Sequence, residues 1–308
     1  MVRESNPEAY PGTLAVDGSA GLWQHPRVPG IDLHSHSDRS DGTFPPERVV
    51  RLAAERGLDV LALTDHDTTA GLAVAEATGR EVGVRVVPGV EFSAEHLGAS
   101  VHVLAYWCDP EHSAFQEELT RLRDDRRLRG EGMVAKLQAL GYDISFERVR
   151  EIAKGGNIVR PHVAQAMVEA GIVATEKEAF ERFISDGGPA YVPKHALDPV
   201  AAVGLIGAAG GVCVLAHPGL WGKRDVAIPE DVIDAMAAAG MAGIEADHIE
   251  HSPEQRAHYR RRAESFGIAA TGGSDCHGDR YDPVRLGRAT CRPEDFAALA
   301  AAVGRRID

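Results

Sequence analysis

From Gly30 onward, short apolar runs alternate with stretches whose apolar residues recur every three or four positions, which predicts strands alternating with helices in a parallel α/β fold. The predicted strands are 31–36, 60–64, 84–87, 90–92, 101–107, 212–216, 242–246, 268–271 and 286–290. Helix starts are punctuated. Pro46 opens one that Gly57 stops, and Asp198-Pro199 pairs an N-cap with a first-turn proline ahead of a helix ending before Gly210. Ser252-Pro253-Glu254-Gln255 is a capping box for a helix that Gly267 closes.

Between about 109 and 197 the alternation stops. Only helical segments are predicted there, 110–140, 146–153, 161–170 and 176–184, the last opened by Thr175-Glu176-Lys177-Glu178. Gly130 and Gly132 are expected to break or bend the first. The economical organisation is a barrel built from 30–108 and 198–308, with 109–197 a helical insertion lying over one face as a lid. A Pro/Gly-rich extension, 1–29, precedes it.

The 308 residues, 44% hydrophobic and 26% charged, suffice for one barrel-sized unit with an insertion. No apolar run reaches the roughly 18 residues of a membrane span, and the first thirty residues lack the apolar stretch of a secretory signal, so a cytoplasmic location is expected. A net charge of −13 disfavours a broad grip on duplex nucleic acid and points to small or short substrates. Cys108, Cys213, Cys276 and Cys291 form no C-x-x-C pair, so buried thiols are expected rather than disulfides or a thiolate zinc site. The informative excess is in the 14 histidines, and their placement carries the chemistry.

Asp32-Leu33-His34-Ser35-His36 lies in the first strand, where a two-residue period puts Asp32, His34 and His36 on one face. Asp41-Gly42 follows in a turn. The second strand is apolar from Leu58 to Leu63 and ends in Thr64-Asp65-His66-Asp67, at the strand end where barrels place their active sites. Glu91 stands inside the apolar run Val90-Glu91-Phe92, His102 inside Val101-His102-Val103, and His217 ends Val214-Leu215-Ala216-His217. Asp275 and His277 complete the series in Gly272-Gly273-Ser274-Asp275-Cys276-His277-Gly278. Each position alone has an ordinary explanation as a turn residue, a cap or a satisfied core group. The same placement repeated from strand segment to strand segment has a simpler shared cause. Imidazole and carboxylate ligands without thiolates suit Mn²⁺, Fe²⁺ or Zn²⁺, and their number exceeds what one ion uses.

The ordered motifs DLHSHS, SDG, LTDHD, PGVEFS, VHVLAY, LAHPG and GGSDCHG resemble the polymerase and histidinol phosphatase (PHP) superfamily of metal-dependent phosphoesterases. The insertion, with Arg160-Pro161-His162, resembles the branch that acts on small nucleotides and RNA 5′ ends. The resemblance implies a distorted (β/α)7 barrel and three divalent ions, Mn²⁺ foremost, with Fe²⁺ or Zn²⁺ also accepted. Motif by motif, it assigns His34, His36, Glu91 and Asp275 to one ion, Glu91, His102 and His217 to a second, and Asp41, His66 and His277 to a third. It further implies phosphomonoester hydrolysis by a metal-bridging hydroxide, with His34, His36, Glu91, Asp275 and His277 as the catalytic set. Asp65 and Asp67 are spaced to orient ligands, and Cys276 should point away from its ligand neighbours.

Pro161 at a helix start sets His162 in the first turn, where free backbone N–H groups favour an anion, and Arg160 adds a bidentate fork. With Lys194, Tyr191 and His251 these are the expected substrate contacts, and His248 and His251 stand where they could protonate a leaving oxygen. A nucleoside 3′,5′-bisphosphate or AMP is the favoured substrate; removal of 5′ nucleotides from short RNA and histidinol phosphate hydrolysis are the other phosphoesterase readings. An amidohydrolase-type barrel also opens with H-x-H but often bridges its metals with a strand-end lysine, and Lys136, Lys154, Lys177, Lys194 and Lys223 end no predicted strand. Against a non-catalytic nucleotide-binding module stands the complete set of competent ligands.

Overall fold

The computed structural model describes residues 30–154, 158–185, 187–193, 196–220 and 227–304; the expected extension 1–29 and Lys194 lie outside the described residues. Seven strands follow one another in chain order around a nearly closed barrel: β1 (Gly30–Asp32), β2 (Leu58–Leu63), β3 (Arg85–His96), β4 (Ala99–Tyr106), β5 (Val212–Leu215), β6 (Gly243–His248) and β7 (Ala269–Gly273). The seam between first and last is held by the Leu33 N–H donating to the Gly272 carbonyl at 3.2 Å, and by a parallel bridge between Ser35 and Cys276.

The sheet is mixed rather than wholly parallel. β1, β2 and β3 pair in parallel, as do β5, β6 and β7, but β4 is antiparallel to both neighbours. The cause is local: β3 turns into β4 through Leu97 and Gly98, both at positive φ, and so short a connection can only make a hairpin.

Two strand expectations need correction. Segments 84–87 and 90–92 are one strand. β3 pairs with β2 through Arg85 to Pro88 and with β4 from Gly89 onward, so the N–H that Pro88 lacks falls where the strand changes partner. Segment 286–290 is not a strand. Its Gly287 N–H donates to the Asp32 carboxylate and its Leu286 packs into the cluster of Val49, Leu61 and Leu63, which draws it into a turn.

Helices α1 (Pro46–Glu55) and α2 (Leu72–Val82) pack outside β1 to β3. Each Val or Leu so buried contributes about 1.5–3 kcal/mol. The next helices are α3 (Ser113–Ala139), α4 (Phe146–Ile152), α5 (Arg160–Glu169) and α6 (Glu176–Ala179), which continues as a wider turn through Phe180–Ile184. α7 (Pro199–Ala208), α8 (Glu230–Ala238) and α9 (Pro253–Phe266) cover the other side of the barrel. Phe296 and Leu299 of α10 (Pro293–Ala302) join Ile31, Leu33 and Tyr106 in a fourth cluster.

Contrary to expectation, Gly130 and Gly132 do not interrupt α3, which runs unbroken for 27 residues. Their value is closeness: a Cβ on Gly130 would stand 2.8 Å from Ile158 Cγ2, and one on Gly132 would stand 3.1 Å from Val192 Cγ2. Phe115, Leu119 and Leu122 of α3 pack on the barrel, whereas Met133, Val134 and Leu137 join α4, α5 and Phe183 in a separate apolar cluster. One helix therefore belongs to both cores.

Candidate metal centre

The candidate ligands come from the carboxyl ends of the strands or from within them. His34 and His36 follow β1, His66 follows β2, Glu91 and His102 face inward on β3 and β4, His217 follows β5, and Asp275 and His277 follow β7. Asp41 comes from the turn after β1. Three sets of ligand atoms lie within 4.8 Å of one another: His34, His36, Glu91 and Asp275; His36, Asp41, His66 and His277; and His66, Glu91 and His102. His217 joins them through Nε2, 3.1 Å from Glu91 Oε1. The grouping thus differs in detail from the motif assignment, because His36 and His66 each stand between two sets.

Glu91 is the centre. Its Oε2 lies 3.3, 3.1 and 3.1 Å from His34 Nε2, His36 Nε2 and His66 Nδ1, while Oε1 lies 2.7 Å from His102 Nδ1. His34 Nε2, His36 Nε2, His66 Nδ1 and His248 Nε2 are buried and face carboxylate oxygens of Glu91 or Asp275 at 3.1–3.6 Å. Buried polar groups are costly unless satisfied, and imidazole nitrogens and carboxylate oxygens converging this closely on one cleft fit divalent cations held between them. The donor set, imidazole and carboxylate alone, fits the same ions.

Ring orientations are set from behind. His34 Nδ1–H donates to Glu245 Oε1 at 3.0 Å and His277 Nδ1–H donates to the Asp275 carbonyl at 3.0 Å, which leaves each Nε2 lone pair facing the centre. Glu245, on β6, also accepts the His217 backbone N–H at 2.8 Å. Sequence reasoning missed Glu245, although it carries the signal that exposed Glu91, a lone carboxylate in an apolar strand. Ser37 N–H, Ser37 Oγ and Ser40 Oγ all donate to Asp65, and Ser93 N–H donates to Asp67. Asp32 is no ligand, for β1 ends there and its carboxylate accepts the N–H groups of His34, Ser274 and Gly287. The Cys276 thiol packs among Leu61, Leu63 and Leu286, away from the cleft.

The electrostatics follow from this crowding. Burial would raise the Glu91 carboxyl, but the imidazoles of His66, His102 and His34 outweigh it and hold it well below the usual range. Burial would lower His36, but hydrogen bonds to Asp275 and Glu91 push it up to about 10. At His66 burial wins and takes the imidazole down to about 3. Asp67, His217 and Asp275 adopt positive φ, at 53°, 27° and 48°, strain concentrated beside the ligands.

The substrate contacts expected from the insertion fare unevenly. Arg160 lines a cavity of about 230 Å³ beside His66 and His102, with its guanidinium over the Phe180 ring. Arg126 and Arg129, unnoticed in the sequence though they stand in the run Arg126-Arg127-Leu128-Arg129, line it too. Arg129 is taken down to about 10 by burial and by the neighbouring guanidiniums of Arg160 and Arg126. His162 instead turns back on its own helix, where Nδ1 accepts the Val159 N–H at 3.4 Å, and it lines a different recess with Arg280. Arg160, not Pro161, is the first helical residue. His251 is committed to backbone: Nδ1–H donates to the Ala246 carbonyl and Nε2 accepts the Gly219 N–H. Tyr191 offers its carbonyl to Lys136 Nζ. His248 Nδ1 accepts the Glu250 N–H, which puts the proton on Nε2, 3.6 Å from Asp275 Oδ2.

Fold and ligand chemistry together define the class: this is a metal-dependent phosphoesterase. Comparison with known proteins narrows it. The PHP domain profile matches residues 32–142. A 3′,5′-nucleoside bisphosphate phosphatase of Chromobacterium violaceum is 33% identical over 279 residues, covering 90% of this chain and 96% of that protein. A 5′-3′ exoribonuclease of Haemophilus influenzae is 32% identical over 246 residues, covering 80% and 89%. The solved structure of a predicted metal-dependent phosphoesterase from Bifidobacterium adolescentis superposes with a TM-score of 0.82 at 31% identity, over 92% of this chain and 99% of that one. The chain belongs to the PHP family. Among the described residues, no helix is long and apolar enough to cross a membrane.

Proposed function

We propose that the chain hydrolyses a phosphate monoester of a small nucleotide that carries a second phosphate, a nucleoside 3′,5′-bisphosphate. The observation that carries this reading is the cavity between the ligand cluster and α3, because His66 and His102 line it together with Arg129 and Arg160. Confined guanidiniums repel one another, and an anion between them removes the cost. The C. violaceum relative, whose substrate class has two phosphates, supports the same choice.

His34, His36, Glu91 and Asp275 would hold one divalent ion, Glu91, His102 and His217 a second, and Asp41, His66 and His277 a third, with Mn²⁺ preferred and Fe²⁺ or Zn²⁺ accepted. When bound, such ions polarise a phosphoryl oxygen and lower the pKa of water. Glu245 keeps the His34 ring aimed, Arg129 and Arg160 orient the far phosphate, and His248 holds a proton at Nε2 for a leaving oxygen. Phe180 and Leu122 give the cavity part of its apolar lining.

A second reading, stepwise cleavage of short RNA from its 5′ end, is favoured by one feature. Arg160 also lines an adjoining cavity of about 120 Å³ that continues past His217 to Pro218 and Leu220, room for chain beyond one nucleotide. Phosphate release from adenosine 3′,5′-bisphosphate, AMP, histidinol phosphate and a 5′-phosphorylated oligoribonucleotide, with Mn²⁺ and with chelator, decides. The bisphosphate should be turned over fastest and only with metal. Preference for AMP or histidinol phosphate overturns the two-phosphate reading, and mononucleotide release from RNA replaces it with the second.

A further inference from the structure

We propose that Arg126, on the insertion helix α3, is a positioning residue for the metal ligand His66 and acts through Asp67. The inference rests on the metal centre proposed above and is independent of the substrate. Asp67 directly follows His66, is fully buried, and sits at a φ of 53°, a conformation that survives only where the surroundings impose it. Its carboxylate is gripped from two sides. Oδ1 accepts the Ser93 N–H at 2.8 Å, and Oδ2 accepts Arg126 Nε at 2.6 Å. Arg126 Nη2 also donates to Ser93 Oγ, and Arg123 Nη1 donates to the Asp67 carbonyl at 3.1 Å.

The carboxylate on the other side of His66 is held differently. Asp65 takes its donors from Ser37 and Ser40 of the β1 turn, within the barrel. His66 thus hangs between one carboxylate anchored by the barrel alone and one anchored jointly by β3 and by α3. The backbone adds ties to β3: the Asp67 N–H donates to the Glu91 carbonyl at 3.0 Å, and the Glu91 N–H donates to the Thr64 and Asp65 carbonyls at 3.0 and 3.3 Å.

Removing the guanidinium would leave a buried carboxylate without its cation, which is strongly destabilising locally. The turn relieves that by moving Asp67 towards water, and His66 Nδ1 moves with it away from Glu91 Oε2, now 3.1 Å distant. Loss of a partner that orients a ligand weakens metal binding by roughly 10- to 100-fold. Arg126 lies one helical turn before Arg129, so the helix that lines the substrate cavity also sets a ligand of the metal centre.

The test uses full-length R126Q, R126K, D67N and the R126Q/D67N double variant. Mn²⁺ bound per chain is measured by equilibrium dialysis, the bound ions are followed by electron paramagnetic resonance, and folding is checked by thermal melting. R126Q should lose affinity for one ion by roughly 10- to 100-fold while the remaining ions bind as in wild type. R126K should recover part of the loss, and the double variant should bind no worse than R126Q alone. A Mn²⁺ isotherm of R126Q that overlays wild type, with only the melting temperature lowered, makes Arg126 a structural staple and overturns the proposal. If R126Q does not fold, R126K and the double variant decide, since neither leaves an unpaired carboxylate; wild-type binding in both overturns it equally. A wild-type protein that binds no Mn²⁺ removes the metal reading itself, a separate and recognisable failure.

Discussion

Glu245 Oε1 and His34 Nδ1 lie 3.0 Å apart in a fully buried pair, and this contact dictates which ring nitrogen faces the cleft. Glu245→Gln keeps the shape but can offer its amide N–H to Nδ1, which would place the ring proton on Nε2 where the ligand lone pair is needed. Mn²⁺ affinity should fall by roughly 10- to 100-fold with little loss of fold. Unchanged dialysis isotherms would show that Glu245 does not set the ring.

Metal removal should be visible in stability as well as in turnover. Each ion that binds only the folded chain adds about 2.7 kcal/mol when present at 100 times its Kd. Melting followed by circular dichroism should therefore shift upward by several degrees with Mn²⁺ and return with chelator. A melting curve indifferent to both would contradict a metal centre built from these buried imidazoles and carboxylates.

Gly273 ends β7 against His34, where an added Cβ would stand 2.3 Å from His34 Cβ and 2.7 Å from its backbone nitrogen. Neither neighbour is a flexible side-chain tip, so Gly273→Ala must push β1 and β7 apart. A stability loss of about 3 kcal/mol, the upper end for overpacking, is expected in urea unfolding, together with weaker Mn²⁺ binding. A variant with wild-type stability would mean that the seam is looser than its hydrogen bonds indicate.

Two buried histidines make the fold sensitive to acid. Burial takes His162 and His251 down to about 4 from an ordinary 6.5. Between those values the unfolded chain binds more protons than the folded one, so this contribution is complete above about 6.5 and is lost as the pH falls towards 4. Each imidazole accounts for up to roughly 3 kcal/mol. Urea midpoints measured from pH 7.5 to 4.5 should decline less steeply in His162→Asn, whose side-chain oxygen can still accept the Val159 N–H. An identical slope would acquit His162.

Arg160→Ala separates the second phosphate from the rest of the substrate. The KM for adenosine 3′,5′-bisphosphate should rise by about 10- to 100-fold, the worth of charge-assisted hydrogen bonds, with AMP nearly unaffected. An equal rise for both substrates would remove Arg160 from a dedicated second-phosphate site.

The candidate ligands were legible because nearly all of them, the turn residue Asp41 apart, are polar residues in or at the end of an apolar run, an arrangement too costly to recur by accident. What escaped depends on partners distant in sequence. Gly130 reads as a helix breaker until Ile158 is seen pressed against it. Pro88 reads as the end of a strand until β3 is seen to exchange β2 for β4 at that residue. His162 and His251 look like site residues by spacing alone, yet their ring nitrogens go to nearby backbone, a choice that no residue pattern announces. Arg126 and Arg129 hid in a run of charge that ordinarily marks a solvated helix face.

α3 bears on how the molecule can be re-engineered. Because Phe115, Leu119 and Leu122 are as much part of the barrel as the strands beneath them, the helical segment cannot be excised at residue 109 without tearing out one side of the scaffold. A transplant from a relative would have to splice within the helix, between Leu122 and Met133, and keep the heptad phase across the join. The same continuity leaves no hinge within α3: the helix is a 27-residue rod shared by two hydrophobic cores, which ties them together.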